Sequence, residues 1–212
     1  ETEWRGDSGP LYVSTMERDL HPTCRNFIRA GEECGLSYNP DFNADTNEGI
    51  GLYQNTARSG FRMSAARAYL HPARRRQNLR VISRAHATRI LFDGNRATGV
   101  EYVRNGKTER VYAGREVIVS GGAVNSPQLL MLSGVGATDK LKRHGIGVVH
   151  DQPNVGQHLQ DHLCIDHTYK ARVKTLNDDL RPLIGKLRHG ISYVLRRRGP
   201  LSLGVNQAGG FI

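Results

Sequence analysis

The chain has 212 residues, room for one large domain or two small ones. With 38% apolar and 7% aromatic residues, its composition is that of a globular domain and excludes a fibrous or low-complexity chain. Lys and Arg outnumber Asp and Glu by 30 to 20, a formal charge of +10, but the densest basic runs, Arg74–Arg76 and Arg196–Arg198, are short and not interleaved with aromatics, which argues against a nucleic-acid interface and for a solvated surface or a face that meets an acidic segment.

In chain order, the turn Gly6–Pro10 leads to a short strand, Leu11–Ser14. Phe27, Ile28, Ala30 and Cys34 recur at helical spacing, and Gly35 follows them, so a helix is predicted over 21–35. Residues 38–47 are polar and turn-rich. Ile50–Thr56 reads as a strand, and Met63–Leu70 as a short helix running into His71-Pro72. From Leu79 the pattern turns to strands: Leu79–Ser83, Ala87–Phe92, Thr98–Arg104 and Thr108–Ala113. Asp93-Gly94-Asn95 and Asn105-Gly106 are the turns between them, the second a strong two-residue hairpin signal. Glu116–Ser120 centres on Val117-Ile118-Val119 without polar alternation, the pattern of a strand buried on both faces. Ser126 and Pro127 suit the N-cap and first position of an apolar helix through Leu132. A further helix spans Thr138–His144, a mixed loop covers 145–162, and Gly185–Arg198 carries Leu187, Ile191, Val194 and Leu195 on one helical face.

The cysteines are three, Cys24, Cys34 and Cys164, with no C-x-x-C, a pattern of neither a disulfide framework nor a zinc site; a reducing, cytoplasmic setting is expected. No apolar run reaches the length of a membrane span, and no signal peptide opens the chain. Both ends, Glu1-Thr2-Glu3-Trp4 and Gly209-Gly210-Phe211-Ile212, read as cuts within a longer protein.

The stretch S-G-G-A-V-N-S-P-Q-L-L-M-L-S-G-V-G, residues 120–136, sets bare backbone on both sides of one helix. Glycines let a backbone approach a bulky ligand, and a helix start offers free N–H groups to an anion. On its own this is also how a tight turn packs a helix on a sheet. The full string resembles the second signature of the glucose–methanol–choline (GMC) family of FAD-dependent oxidoreductases. Other stretches resemble the same family in the same order: Trp4-Arg5-Gly6 with Gly9-Pro10-Leu11, Asp41-Phe42-Asn43, Glu48-Gly49-Ile50-Gly51, Arg62 with Ser64–Leu70, Asn78-Leu79, and Asn154-Val155-Gly156 with Leu159-Gln160-Asp161-His162. The nearest subgroup resembles choline dehydrogenase and related alcohol dehydrogenases.

The resemblance implies a mixed α/β (α+β) fold, part of a Rossmann-like FAD-binding domain plus part of a substrate domain. It divides the chain into a substrate-domain segment at 1–78, an FAD-domain segment at 79–153 and a second substrate-domain segment at 154–212. It implies that Ala87 lays its backbone against the FAD adenine and that Ser120, Gly121, Gly122 and Ala123 line the FAD cavity, where a larger side chain would collide with the cofactor. It also implies a small-molecule alcohol substrate and an electron acceptor that the sequence does not identify. The family's opening G-x-G-x-x-G turn and its late catalytic His segment have no counterpart in these residues, so no catalytic residue is assigned and the isolated chain is expected to be inactive. His158 and His162 are four apart, but there is no H-E-x-x-H and no metal is expected. Two readings from other classes stand beside this one: a non-catalytic binding or scaffold module that keeps the fold remnant, and a basic nucleic-acid-binding domain. Strand edges bared in a fragment also raise the prospect of homo-oligomers.

Overall fold

The structure, a computed structural model, describes residues 4–15 and 17–212. Residues 1–3, where the first expected segment begins, lie outside the described residues. The elements begin with α1 (Thr23–Glu33), β1 (Gly49–Leu52), β2 (Ala57–Arg58) and β3 (Phe61–Arg62). One π-helical turn, Ala66–Leu70, then runs into α2 (His71–Ala73). Next come β4 (His86–Asp93), β5 (Arg96–Arg104), β6 (Lys107–Tyr112), α3 (Gly122–Leu132), β7 (Val135–Gly136), α4 (Thr138–Arg143) and β8 (His150–Asp151). The chain closes with α5 (Leu176–Leu180), α6 (Leu183–Arg196), a 3-10 turn at Pro200–Ser202 and β9 (Ala208–Phe211). The mixed α/β class expected from the sequence is what forms.

The chain divides into two compact units, residues 1–80 with 168–212, and residues 81–167. In the first, β1 and β9 pair antiparallel, Gly49 opposite Phe211 through Leu52 opposite Ala208. Helix α1 ends as its sequence asks. Gly35 takes φ +90°, its N–H bonds to the Glu32 carbonyl at 2.9 Å, and the Leu36 N–H reaches back to the Gly31 carbonyl at 3.0 Å. These two bonds satisfy the last-turn carbonyls in a Schellman closure. A β-carbon at Gly31 would run into the side chain of Ile50, itself 3% exposed, so glycine is what lets α1 lie close on β1.

Buried Asn39 organises the following loop: its Nδ2 donates to the Thr46 and Glu48 carbonyls, both at 2.8 Å, and its Oδ1 accepts the Asp41 N–H at 2.9 Å. Phe42 then stacks against Tyr53 and Phe211, with ring centroids 5.6 and 5.3 Å away.

The second unit is built on an antiparallel sheet in the order β4-β5-β6. Asn105 and Gly106 both take positive φ, 50° and 75°, the two-residue turn whose twist matches the flanking strands. Helix α3 packs on β4, and a short parallel pair, β7 with β8, follows. Asp151 at the end of β8 accepts the Thr138 N–H at 2.9 Å, capping the start of α4, and this bond holds the Asp151 carboxyl below its ordinary range.

Several expected elements differ. Leu11–Ser14 contributes only an isolated bridge, Ser14 to Asn55. Leu79–Ser83 forms no strand; Leu79 and Val81 are exposed, and β-propensity without a paired neighbour does not hold a strand. The expected Met63–Leu70 helix is a π-turn that starts at Ala66. Glu116–Ser120 pairs with no strand among the described residues, and Ile118 is 78% exposed instead of buried. The apolar run requires covered faces, and the described residues cover only the one that carries the half-buried Val117 and Val119. Helix α3 starts at Gly122 with Gly121 as N-cap, five residues before the expected Ser126 cap and Pro127 start, so Pro127 lies inside the helix.

Candidate functional site

The glycine turn at 120–123 sits where the extended run 116–120 enters α3. Gly122 has φ +86°, a conformation that β-carbons oppose, and a β-carbon built there meets nothing within 4 Å. Ser120, Gly121, Gly122 and Ala123 are all exposed. A β-carbon at Gly121, by contrast, would press on Asn125 Cβ and Ser126 N, both at 3.3 Å, so the open space lies at Gly122. Gly121 offers no side-chain cap, so the first N–H groups of α3 are left to a partner beyond the helix. The proline at 127 removes the donor that would reach the Ala123 carbonyl within the helix.

The C-terminal end of α3 is fixed. Buried Ser133 donates through Oγ to the Leu129 carbonyl at 2.6 Å and accepts the Ile90 N–H from β4 at 2.8 Å. Gly134, at φ +89°, lets the chain turn against the Gly147 carbonyl, where a β-carbon would clash. The glycine turn is therefore carried by a helix anchored to the sheet that also carries Ala87. Ala87 is exposed on β4 opposite Tyr102, beside a register shift between Ala87 and Arg89. Such a bulge breaks the regular ladder and re-aims the strand locally. Behind the turn, Val117, Val119, Ile90, Phe92, Leu130 and Val149 line an apolar groove of about 400 Å³.

Sequence reasoning did not single out three further features. Arg5 and Asp41, 36 residues apart, form a two-pronged ion pair; Nε donates to Oδ2 at 2.7 Å and Nη2 to Oδ1 at 2.5 Å. The bonds from Arg5 hold the Asp41 carboxyl below its ordinary range, and the Asn43 N–H adds to the effect. The only sequence signal was that each belongs to a quoted motif. In the second unit, Glu101 lies between Arg110 and Arg89, at 2.9 and 3.3 Å, and chiefly the Arg110 bond lowers its carboxyl.

In the first unit, His21, Cys24, Phe27, Thr175, Asn177 and Gln207 line an open cavity of about 510 Å³. There the Gln207 Oε1 accepts from the Cys24 thiol at 3.3 Å and the His21 N–H at 3.5 Å. Burial pushes the Cys24 thiol up. No periodicity or motif brings residues 21–24 to 207; only the β1–β9 pairing does.

The His158–His167 stretch is exposed throughout. His158 Nε2 lies 3.3 Å from Asn154 Oδ1, and Asp161 accepts the His162 N–H at 2.8 Å, so Asp161 serves loop backbone. Among the described residues, no three His, Cys, Asp or Glu side chains converge as metal ligands, and no helix is long and apolar enough to cross a membrane.

Comparison with known proteins agrees with the motif. A family profile described as GMC oxidoreductase matches residues 2–164. Over the whole chain, the sequence is 44% identical to "Alcohol dehydrogenase [acceptor]" of Pseudomonas putida and 45% identical to the mitochondrial choline dehydrogenase of Homo sapiens. It spans 39% and 35% of the lengths of these two relatives. Among solved structures, an FAD-dependent oxidoreductase from Chaetomium thermophilum superposes on 96% of the chain, and on 36% of its own, with a TM-score of 0.86 at 29% identity.

Proposed function

We propose that this chain, which belongs to the GMC oxidoreductase family, is the central part of an FAD-dependent oxidoreductase that converts a primary alcohol, such as choline, to its aldehyde. The observation that carries the reading is the glycine pair Gly121-Gly122, open at Gly122, at the start of an anchored helix, in a chain 44% identical along its whole length to an alcohol dehydrogenase. FAD, when bound, supplies the acceptor for the hydride that leaves the alcohol carbon. The residues of this chain supply position. Gly121 and Gly122 let backbone stand where a side chain would exclude the cofactor. The uncapped N–H groups at the start of α3 offer donors to its polar edge. Ala87 presents a small side chain and main chain on β4, while Ser120 adds a hydroxyl.

In this reading, residues 79–153 belong to the FAD domain, and 1–78 with 154–212 to the substrate domain. The group that takes the hydroxyl proton comes from a part of the parent polypeptide outside these residues, as does the grip on the pyrophosphate. The test is anaerobic titration of the purified full-length protein with primary alcohols. Bleaching of the visible flavin bands by a primary alcohol is expected; a protein that purifies without flavin, or whose flavin no primary alcohol bleaches, contradicts the reading.

A further inference from the structure

Helix α6 carries its apolar side outward. Leu183, Ile184, Leu187, Ile191, Val194 and Leu195 fall on one stripe, about 120° wide at 3.6 residues per turn, and each is between 57% and 80% exposed. The opposite side packs on the first unit. Gly185 passes so near the Asp179 carbonyl that a β-carbon would clash. His189 and Ser192 are half-buried, and the Tyr193 hydroxyl donates to the Gly60 carbonyl at 3.0 Å. Arg197, which ends the helix in a left-handed conformation, lies over the rings of Phe61 and Tyr193 at 4.5 and 5.1 Å. A helix anchored through its polar side has its orientation fixed, so the stripe cannot turn inward. Six aliphatic side chains exposed together on one stripe make the kind of contiguous apolar patch that marks an interaction surface.

We infer that this stripe is a docking seat for a segment of the parent polypeptide outside these 212 residues, one with an aliphatic centre and carboxylates at its margins. The inference rests on the reading above that the chain is part of a longer protein. The relatives extend over more than twice the matched length, since the chain spans only 35% to 39% of them. The stripe is made only of Leu, Ile and Val, which interdigitate in protein interiors, and lacks the Trp and Tyr that anchor helices at a lipid boundary. By the helical phase, Arg188 adjoins one margin of the stripe and Lys186 flanks the other, both exposed. With +10 on the chain as a whole, the complementary charge belongs to the occupant.

The test is thiol protection in the full-length protein carrying Ile191→Cys, with maleimide labelling of that site followed by peptide mass spectrometry. Labelling under native conditions is expected to be at least about tenfold slower than in urea, as for a site that must open locally before it reacts. That protection is expected to be independent of protein concentration and to need no lipid. Labelling at the urea rate overturns the inference. So does protection that appears only as the protein dimerises, or only when anionic vesicles are added. If Ile191→Cys does not fold, Val194→Cys, one turn on, gives the same reading. Flavin content of the same preparation is read separately: a colourless protein whose introduced thiol is protected sinks the enzyme reading alone, and a yellow protein whose introduced thiol labels freely sinks the docking seat alone.

Discussion

At the scale of single residues, the Arg5–Asp41 pair joins two stretches that are far apart in sequence, and its side chains are largely shielded, 27% and 19% exposed. Replacing Arg5 with Met leaves a carboxylate without its charged donor and is expected to cost about 1.5–3 kcal/mol, the range for hydrogen bonds to charged groups, read from chemical denaturation of the full-length protein. The folded-state pKa of Asp41 is depressed, so its contribution is fully present above the ordinary carboxylate value near about 3.9. It fades as the pH falls from there through the lower folded-state value. Asp41→Asn should therefore lower stability at neutral pH and flatten the acid limb of the stability curve; an unchanged acid limb contradicts the pairing. The thiols offer a second check. Cys34 and Cys164 are exposed, whereas Cys24 is half-buried with its ionisation pushed up. In the isolated chain, Cys24 is expected to react last with maleimide, and a Cys24 that labels as fast as the others argues against the Gln207 contact. None of these partnerships was legible in the sequence, because each depends on chain reversals that bring distant residues together.

At the scale of elements, legibility followed the strength of the local signal. The β4–β5–β6 meander and the end of α1 were readable because Asn105-Gly106 and Gly35 sit where backbone must take positive φ, a requirement that few residues meet. The start of α3 was misread because Ser126-Pro127 has the chemistry of a helix start, yet Gly121 already opens the helix and the proline is absorbed inside it. The run 116–120 was read rightly as apolar and wrongly as covered, since pattern reports what a segment requires and not whether its neighbours are present. The anchor at the other end of α3 can be tested directly. Ser133→Ala removes the acceptor of the buried Ile90 N–H and is expected to cost about 1–3 kcal/mol. Gly134→Ala, at φ +89°, adds about 1–2 kcal/mol of backbone strain before its clash with Gly147. If thermal melting of the full-length protein finds both variants as stable as the parent, Ser133 and Gly134 do not fix the helix.

At the scale of the whole molecule, the fold class and the family were readable from the sequence because the 120–136 string and its companions form an ordered series along the chain. The exposed faces were not, since Ile118 and the outward stripe of α6 carry ordinary core residues whose exposure only coordinates reveal. In the proposed reading both faces are covered by other parts of the parent protein, and the isolated 212-residue chain is then expected to purify colourless and to reduce no dye with choline. The central claim concerns the space beside the glycine turn. It is tested most directly by the flavin-to-protein ratio of the full-length Ala123→Phe variant, with far-UV circular dichroism to show that the fold is kept. The account predicts that the folded variant loses most of its flavin, because the new ring occupies the cofactor's place; a folded variant with the parent's full flavin content would show that the space at 120–123 holds no cofactor.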